Sequence, residues 1–157
     1  IRVDLAAAIV AGGNDPGRAL RLLEEIRGAV GGLMRAEVEV RILDLRVSGG
    51  DAAGALVEIE AALREDPSNG DLRYVRARAE YAVGRPGAAL MTMRDLALDE
   101  PTNVAAAIAV AQLAEGMRRP ADEVRAEWLR AASLRRFATP AEAATIAAGL
   151  ARIGAGQ

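Results

Sequence analysis

Residues 50–69 and 84–103 share one pattern displaced by 34 positions, and this displacement constrains the fold more than any other property of the chain. Gly50 returns as Gly84, Ala55 and Leu56 as Ala89 and Leu90, Pro67 as Pro101, and Asn69 as Asn103, with the acids Asp66 and Glu100 in register. A period of this length belongs to two-helix units whose apolar faces are buried only when neighbours stack. The composition agrees. Hydrophobic residues make up 52% of the 157 positions but aromatics only 3%. Alanine supplies much of the rest, which suits helices packed closely through small side chains rather than a sheet core. The expected class is all-α, as a single helical repeat domain over 1–157.

Taken in order, residues 3–12 read as a short helix carrying Leu5 and Ile9 and stopped by Gly12 and Gly13. Asp15 offers an N-cap oxygen and Pro16 fits the first helical position, opening a second helix to about Val30 with the stripe Ala19, Leu20, Leu23 and Ile26. From about Leu33 to Val47 the apolar positions Val38, Ile42 and Leu45 keep helical spacing, and Gly49 and Gly50 supply the left-handed closure. Val38 and Val40 invite a strand, but a lone strand among helices leaves its backbone groups unpaired, so a helix is expected. The next helix carries Ala55, Leu56, Ile59, Ala62 and Leu63 and ends at Pro67; helices at 70–83 and 86–99 follow. A looser pair covers 103–117 and 120–135, with Trp128 as its large anchor. Thr139, Pro140 and Glu142 then form an N-cap, a first-position proline and a capping-box acid for a last helix at 139–153.

Several chemistries have no residues to run them. The chain has no cysteine, no histidine and no lysine, so thiol and imidazole catalysis, soft-metal sites, Schiff bases and the P-loop lysine are excluded. The serines and threonines have no histidine or lysine to activate them, and no enzymatic activity is expected. No cofactor or metal is expected either. The glycine clusters at 12–15 and 48–54 follow no strand, and acid pairs such as Glu24 with Glu25 or Asp99 with Glu100 fit solvated helix faces. A net charge of −2 gives no field to collect phosphates, so nucleic acid is not an expected partner. The arginine pairs at 118–119 and 135–136 lie near helix ends, where cations ease the macrodipole. The longest uncharged apolar run, 104–111, is far short of the roughly 20 residues that span a bilayer, so membrane insertion is not expected. An all-arginine basic set points to a GC-rich bacterial genome. A start at Ile1 without a signal pattern points to a processed chain or a piece of a longer one, and leaves bacterial cytoplasm and periplasm both open.

The alternation of helices resembles the tetratricopeptide repeat family, whose unit is two antiparallel helices in 34 residues. In 36–69 the matching residues are Gly50, Ala55, Ile59, Ala62, Asp66 and Pro67; in 70–103 they are Ala77, Gly84, Ala89, Met93, Glu100 and Pro101. Residues 1–34 fit with a longer connection through Ala7 and Ala19, and 104–138 fit through Ala111 and Pro120. Leu43 stands where the family places a small residue, and the family's aromatics are mostly missing. The resemblance implies a right-handed superhelical α-solenoid of about four repeats, 1–34, 36–69, 70–103 and 104–138, closed by a capping helix at 139–153.

It also implies a concave groove lined by the first helix of each pair. The groove positions are then Val40, Asp44 and Val47; Tyr74, Arg78 and Tyr81; and Ile108, Gln112 and Glu115. Tyr74, Arg78 and Tyr81 fall at i, i+4 and i+7, so one helical face presents two aromatics beside a guanidinium, residue types enriched where partners bind. The same residues admit a packing role, with one tyrosine in the core and Arg78 paired to a neighbouring acid. Members of the family that hold a partner's terminal carboxylate use lysines and asparagines; Val40, Asp44 and Tyr74 stand here instead, and Asp44 is expected to repel that ligand. The implied function is a non-enzymatic scaffold or adaptor that grips a peptide segment or partner subunit. The alternative is a structural segment of a larger bacterial assembly, such as the periplasmic repeat region of a polysaccharide or outer-membrane export machine. Self-association into homo-oligomers is compatible with either.

Overall fold

The computed structural model describes residues 15–155, so the expected helix at 3–12 lies outside the described residues. Eight α-helices and one 3-10 turn account for the described chain, and no strand occurs among those residues. Its contacts gather into two compact units, one ending at Val83 and the other beginning at Gly84.

The first unit holds α1 (Pro16–Arg27), α2 (Gly32–Ser48), α3 (Ala52–Glu65) and α4 (Gly70–Ala82). Asp15 caps α1 through its carboxylate, which accepts the Arg18 N–H at 3.1 Å, with Pro16 in the first turn. The β-branched stretch lies inside α2, where Val38 is fully buried against Leu23 and Ile42. Gly50 closes the α2–α3 connection in the left-handed region, φ 98°, which a side chain there would strain. Connections this short make successive helices antiparallel. Helix α3 packs against both α2 and α4, and α2 and α4 also touch. Their shared core is Leu43, Val47, Ala55, Leu56, Ile59, Val75 and Ala79. Leu43, which departs from the family's small residue, is buried there.

The second unit holds α5 (Pro86–Asp99), α6 (Val104–Gly116), α7 (Ala121–Ser133), a 3-10 turn (Arg135–Phe137) and α8 (Pro140–Ala155). Helix α6 packs against α5, α7 and α8, and α7 packs against α8. The core gathers Ala107, Ala111, Ala114, Val124 and Ile146 around Trp128, whose side chain is fully buried. Gly149 of α8 lies flat on the indole: a Cβ there would stand 2.5 Å from the ring. The small residue is thus a packing requirement of the tryptophan. The capping box opens α8 as the sequence predicts, with Glu142 accepting the Thr139 N–H at 2.8 Å and the Thr139 hydroxyl accepting the Glu142 N–H at 3.3 Å.

The repeated connector has a common chemistry. Asn69 accepts the Leu72 N–H at 3.0 Å and Asn103 accepts the Ala106 N–H at 2.9 Å, so each asparagine caps the following helix. Their amides donate back to Asp66 and Glu100, at 3.3 and 2.8 Å. Acid, proline and asparagine recur at this spacing because together they end one helix and start the next. The left-handed position recurs as well, with a change of residue. Gly84 has φ 80°, and one period later Arg118 holds φ 53°.

Candidate partner-binding face

The candidate face in the first unit is built from α2 and α4, the two helices on the same side of α3. Asp44 on α2 and Arg78 on α4 are one period apart in sequence, and an ion pair joins them directly. Arg78 Nη2 also donates to the Ser48 hydroxyl at 3.0 Å, and that hydroxyl donates to the Asp44 carbonyl at 3.0 Å. A second cation stands on the same acid: Arg41 Nη1 reaches Asp44 Oδ2 at 3.4 Å. Burial, followed by the Arg41 charge, draws the Arg78 pKa below its ordinary value.

The first-unit residues expected to line a groove thus fall on one pair of helices. Asp44 and Arg78 are brought together, Tyr74 is half-buried on α4, and Tyr81 one turn beyond Arg78 is 53% exposed. Val40 is half-buried and packs against the core, and Val47 belongs to it. The pairing of Arg78 with an acid realises one element of the packing alternative. Sequence reasoning missed Arg41 and Ser48, which the helical spacing from Asp44 could have supplied, since positions three and four apart share a face.

In the second unit the equivalent residues serve differently. Gln112 is exposed, whereas Ile108 is buried in the core around Trp128. Glu115 is held from two sides. It accepts the Trp128 indole N–H at 3.3 Å and two bonds from Arg152 of α8, both 3.0 Å. The Arg152 guanidinium also lies 5.6 Å from the Trp128 ring centre. Glu115 is held below the usual carboxylate range, first by the Arg152 hydrogen bond and, in smaller part, by the Arg152 charge and the indole. Beside this latch an open cleft of about 470 Å³ is floored by Val124 and Ile153, with Arg119 and Arg125 at its rim.

Other charged pairs fasten helices rather than leaving a site. Arg46 of α2 bonds Asp51 and Glu58 at 2.6 Å each, and Arg94 of α5 bonds Glu123 and Glu127 of α7 at 2.7 and 2.8 Å. No group of acids able to hold a metal ion occurs among the described residues. No helix among them is long and apolar enough to cross a membrane.

Comparison with known proteins follows the same lines. A search of curated protein sequences finds no match. Among solved structures, MamA AMB-1 is similar with a TM-score of 0.59 and 18% identity, covering 96% of this chain and 78% of that one. MamA MSR-1 is similar with a TM-score of 0.60 and 18% identity, covering 96% and 82%. A MamA mutant gives 0.60 and 17% over 95% and 80%. At this identity the likeness is one of fold, an α-solenoid of helix pairs. The tetratricopeptide repeat model matches residues 47–113, so the family resemblance read from the connectors is met over the stretch that holds both of them.

Proposed function

We propose that this chain is a non-enzymatic protein–protein interaction scaffold that grips a peptide segment or a partner subunit on the face of α2 and α4. The observation that carries this reading is the group of Tyr74, Arg78 and Tyr81 on α4, with Arg78 held by an ion pair to Asp44 of α2 and the Tyr81 ring still half exposed. Tyrosine and arginine held in place before binding lose little freedom when a partner arrives, which is how a small number of residues comes to dominate an interface. Gln112 and Glu115 are the equivalent positions of the second unit, and there the latch to Arg152 favours Gln112 as the contributor.

The test begins with affinity capture from the native host to identify the partner. The Tyr74→Ala, Arg78→Ala double variant is then expected to raise the Kd of that partner by about 30-fold or more, the size of a hot-spot loss. Unchanged affinity in a variant with intact helicity by circular dichroism would sink this site.

A further inference from the structure

The face of α2 and α4 holds more hydrogen-bond donors than acceptors. Two guanidiniums, each with five N–H groups, converge on the single carboxylate of Asp44 and the single hydroxyl of Ser48. Arg78 is anchored at both ends of its fork. Arg41 holds Asp44 through one long bond of 3.4 Å, and its Nε is buried with no hydrogen-bond partner among the described residues.

The depth order of the charges matters as much as their number. The Asp44 side chain is 17% exposed, whereas those of Arg41 and Arg78 are 44% and 39% exposed. The acid therefore lies beneath the two cations. An incoming group meets guanidinium first, although the sequence places an aspartate at this position and so suggests repulsion.

Resting on the groove reading above, we infer that the partner segment presents an aspartate or glutamate side chain to Arg41 and Arg78, with its neighbouring residue covering the Tyr81 ring. A carboxylate approaching the exposed end of Arg41 meets its two Nη groups, since Nε is buried, and takes the two-bond geometry that guanidinium and carboxylate share. It also adds the second negative charge that two cations on one acid lack. A side-chain carboxylate is chosen over a chain terminus because Val40 and Tyr74 stand where the family members that hold a terminus carry lysines and asparagines. The lowered pKa of Arg78 has the same origin, burial beside a like charge, and a second anion relieves it.

The probe is an eight-residue peptide, acetylated and C-amidated so that no terminal charge remains, with a Glu-Glu pair between leucines. Its Gln-Gln counterpart is the control, and both are titrated against the full chain by fluorescence anisotropy. The acidic peptide is expected to bind about tenfold more tightly. Arg41→Gln should narrow that gap to under about threefold, and Arg41→Lys, which keeps the charge but not the fork, should fall between. Asp44→Asn removes the competing charge and should tighten the acidic peptide several-fold, with circular dichroism showing each variant folded.

Equal affinity for the two peptides, a gap that Arg41→Gln leaves unchanged, or no binding of either peptide overturns the inference. The groove reading fails separately. It falls if Tyr74→Ala and Tyr81→Ala change neither affinity, even where the acidic preference persists. If those variants weaken both peptides equally and no preference exists, only the acidic partner is lost.

Discussion

Asp44 with Arg78 in the first unit and Glu115 with Arg152 in the second are the same device in two settings. In each, a carboxylate on one helix meets a guanidinium on the next helix but one, tying together two helices that flank a third. The surroundings separate them. Glu115 lies against a fully buried tryptophan, takes both bonds of a two-pronged arginine and accepts the indole N–H, so both of its oxygens are engaged. Asp44 is instead shared by two arginines, Arg41 and Arg78, whose N–H groups outnumber the acceptor positions of one carboxylate. A closed pair of the first kind serves stability, whereas an open pair of the second kind leaves capacity for a ligand. Which role an ion pair takes is therefore decided by what surrounds it.

The contrast can be broken most forcefully at the ring. Trp128→Ala removes the filled centre of the second unit and is expected to cost about 4 kcal/mol, read by chemical denaturation, with hydrogen exchange showing α8 released first. A loss under about 1 kcal/mol would mean that the latch does not depend on the indole. Next in size are the pairs themselves. Double-mutant cycles should give a coupling of about 1 kcal/mol for Glu115 with Arg152 and less than about 0.5 kcal/mol for Asp44 with Arg78, since Arg41 stays to hold Asp44. Equal couplings would erase the distinction. Acid sharpens it further. Because Glu115 has a lowered folded pKa, its contribution is complete above the ordinary carboxylate value of 4.5 and is lost as pH falls through the lower folded value. Glu115→Gln should flatten that part of the acid-unfolding profile. The last expected effect is a gain. Arg118→Gly relieves a left-handed residue that the preceding two repeats assign to glycine, and should add about 0.5–1 kcal/mol, seen as a raised Tm.

How much of this was legible in the sequence follows from how local each feature is. The connectors were readable because proline, glycine and asparagine report backbone needs directly, and the structure gives Asn69 and Asn103 as the caps and Gly50 and Gly84 as the left-handed turns. The helix over Val38 and Val40 was readable from its neighbours. The pairing of Asp44 with Arg78 was half legible: the period places the two opposite each other, but nothing in it says that Arg41 joins them. Three features stayed hidden. Arg118 conceals the third glycine position, because an arginine does not advertise a positive φ. The α7–α8 connection contains a 3-10 turn, which slips the register, so Glu115 and Arg152 are not one period apart. Gly149 reads as a weak spot in a helix until the indole lying on it is known.

The placement of the aromatics gives the molecule two built-in optical reporters. Its one tryptophan belongs to the second unit and its two tyrosines to the first. Selective excitation of the indole therefore follows the fate of α6, α7 and α8 alone, and the Tyr74 and Tyr81 absorbance follows α4. Whether the two units melt in one step or two can be read from the unlabelled chain by overlaying the two signals, and ligand quenching of the tyrosine band would mark the α4 face without altering a residue.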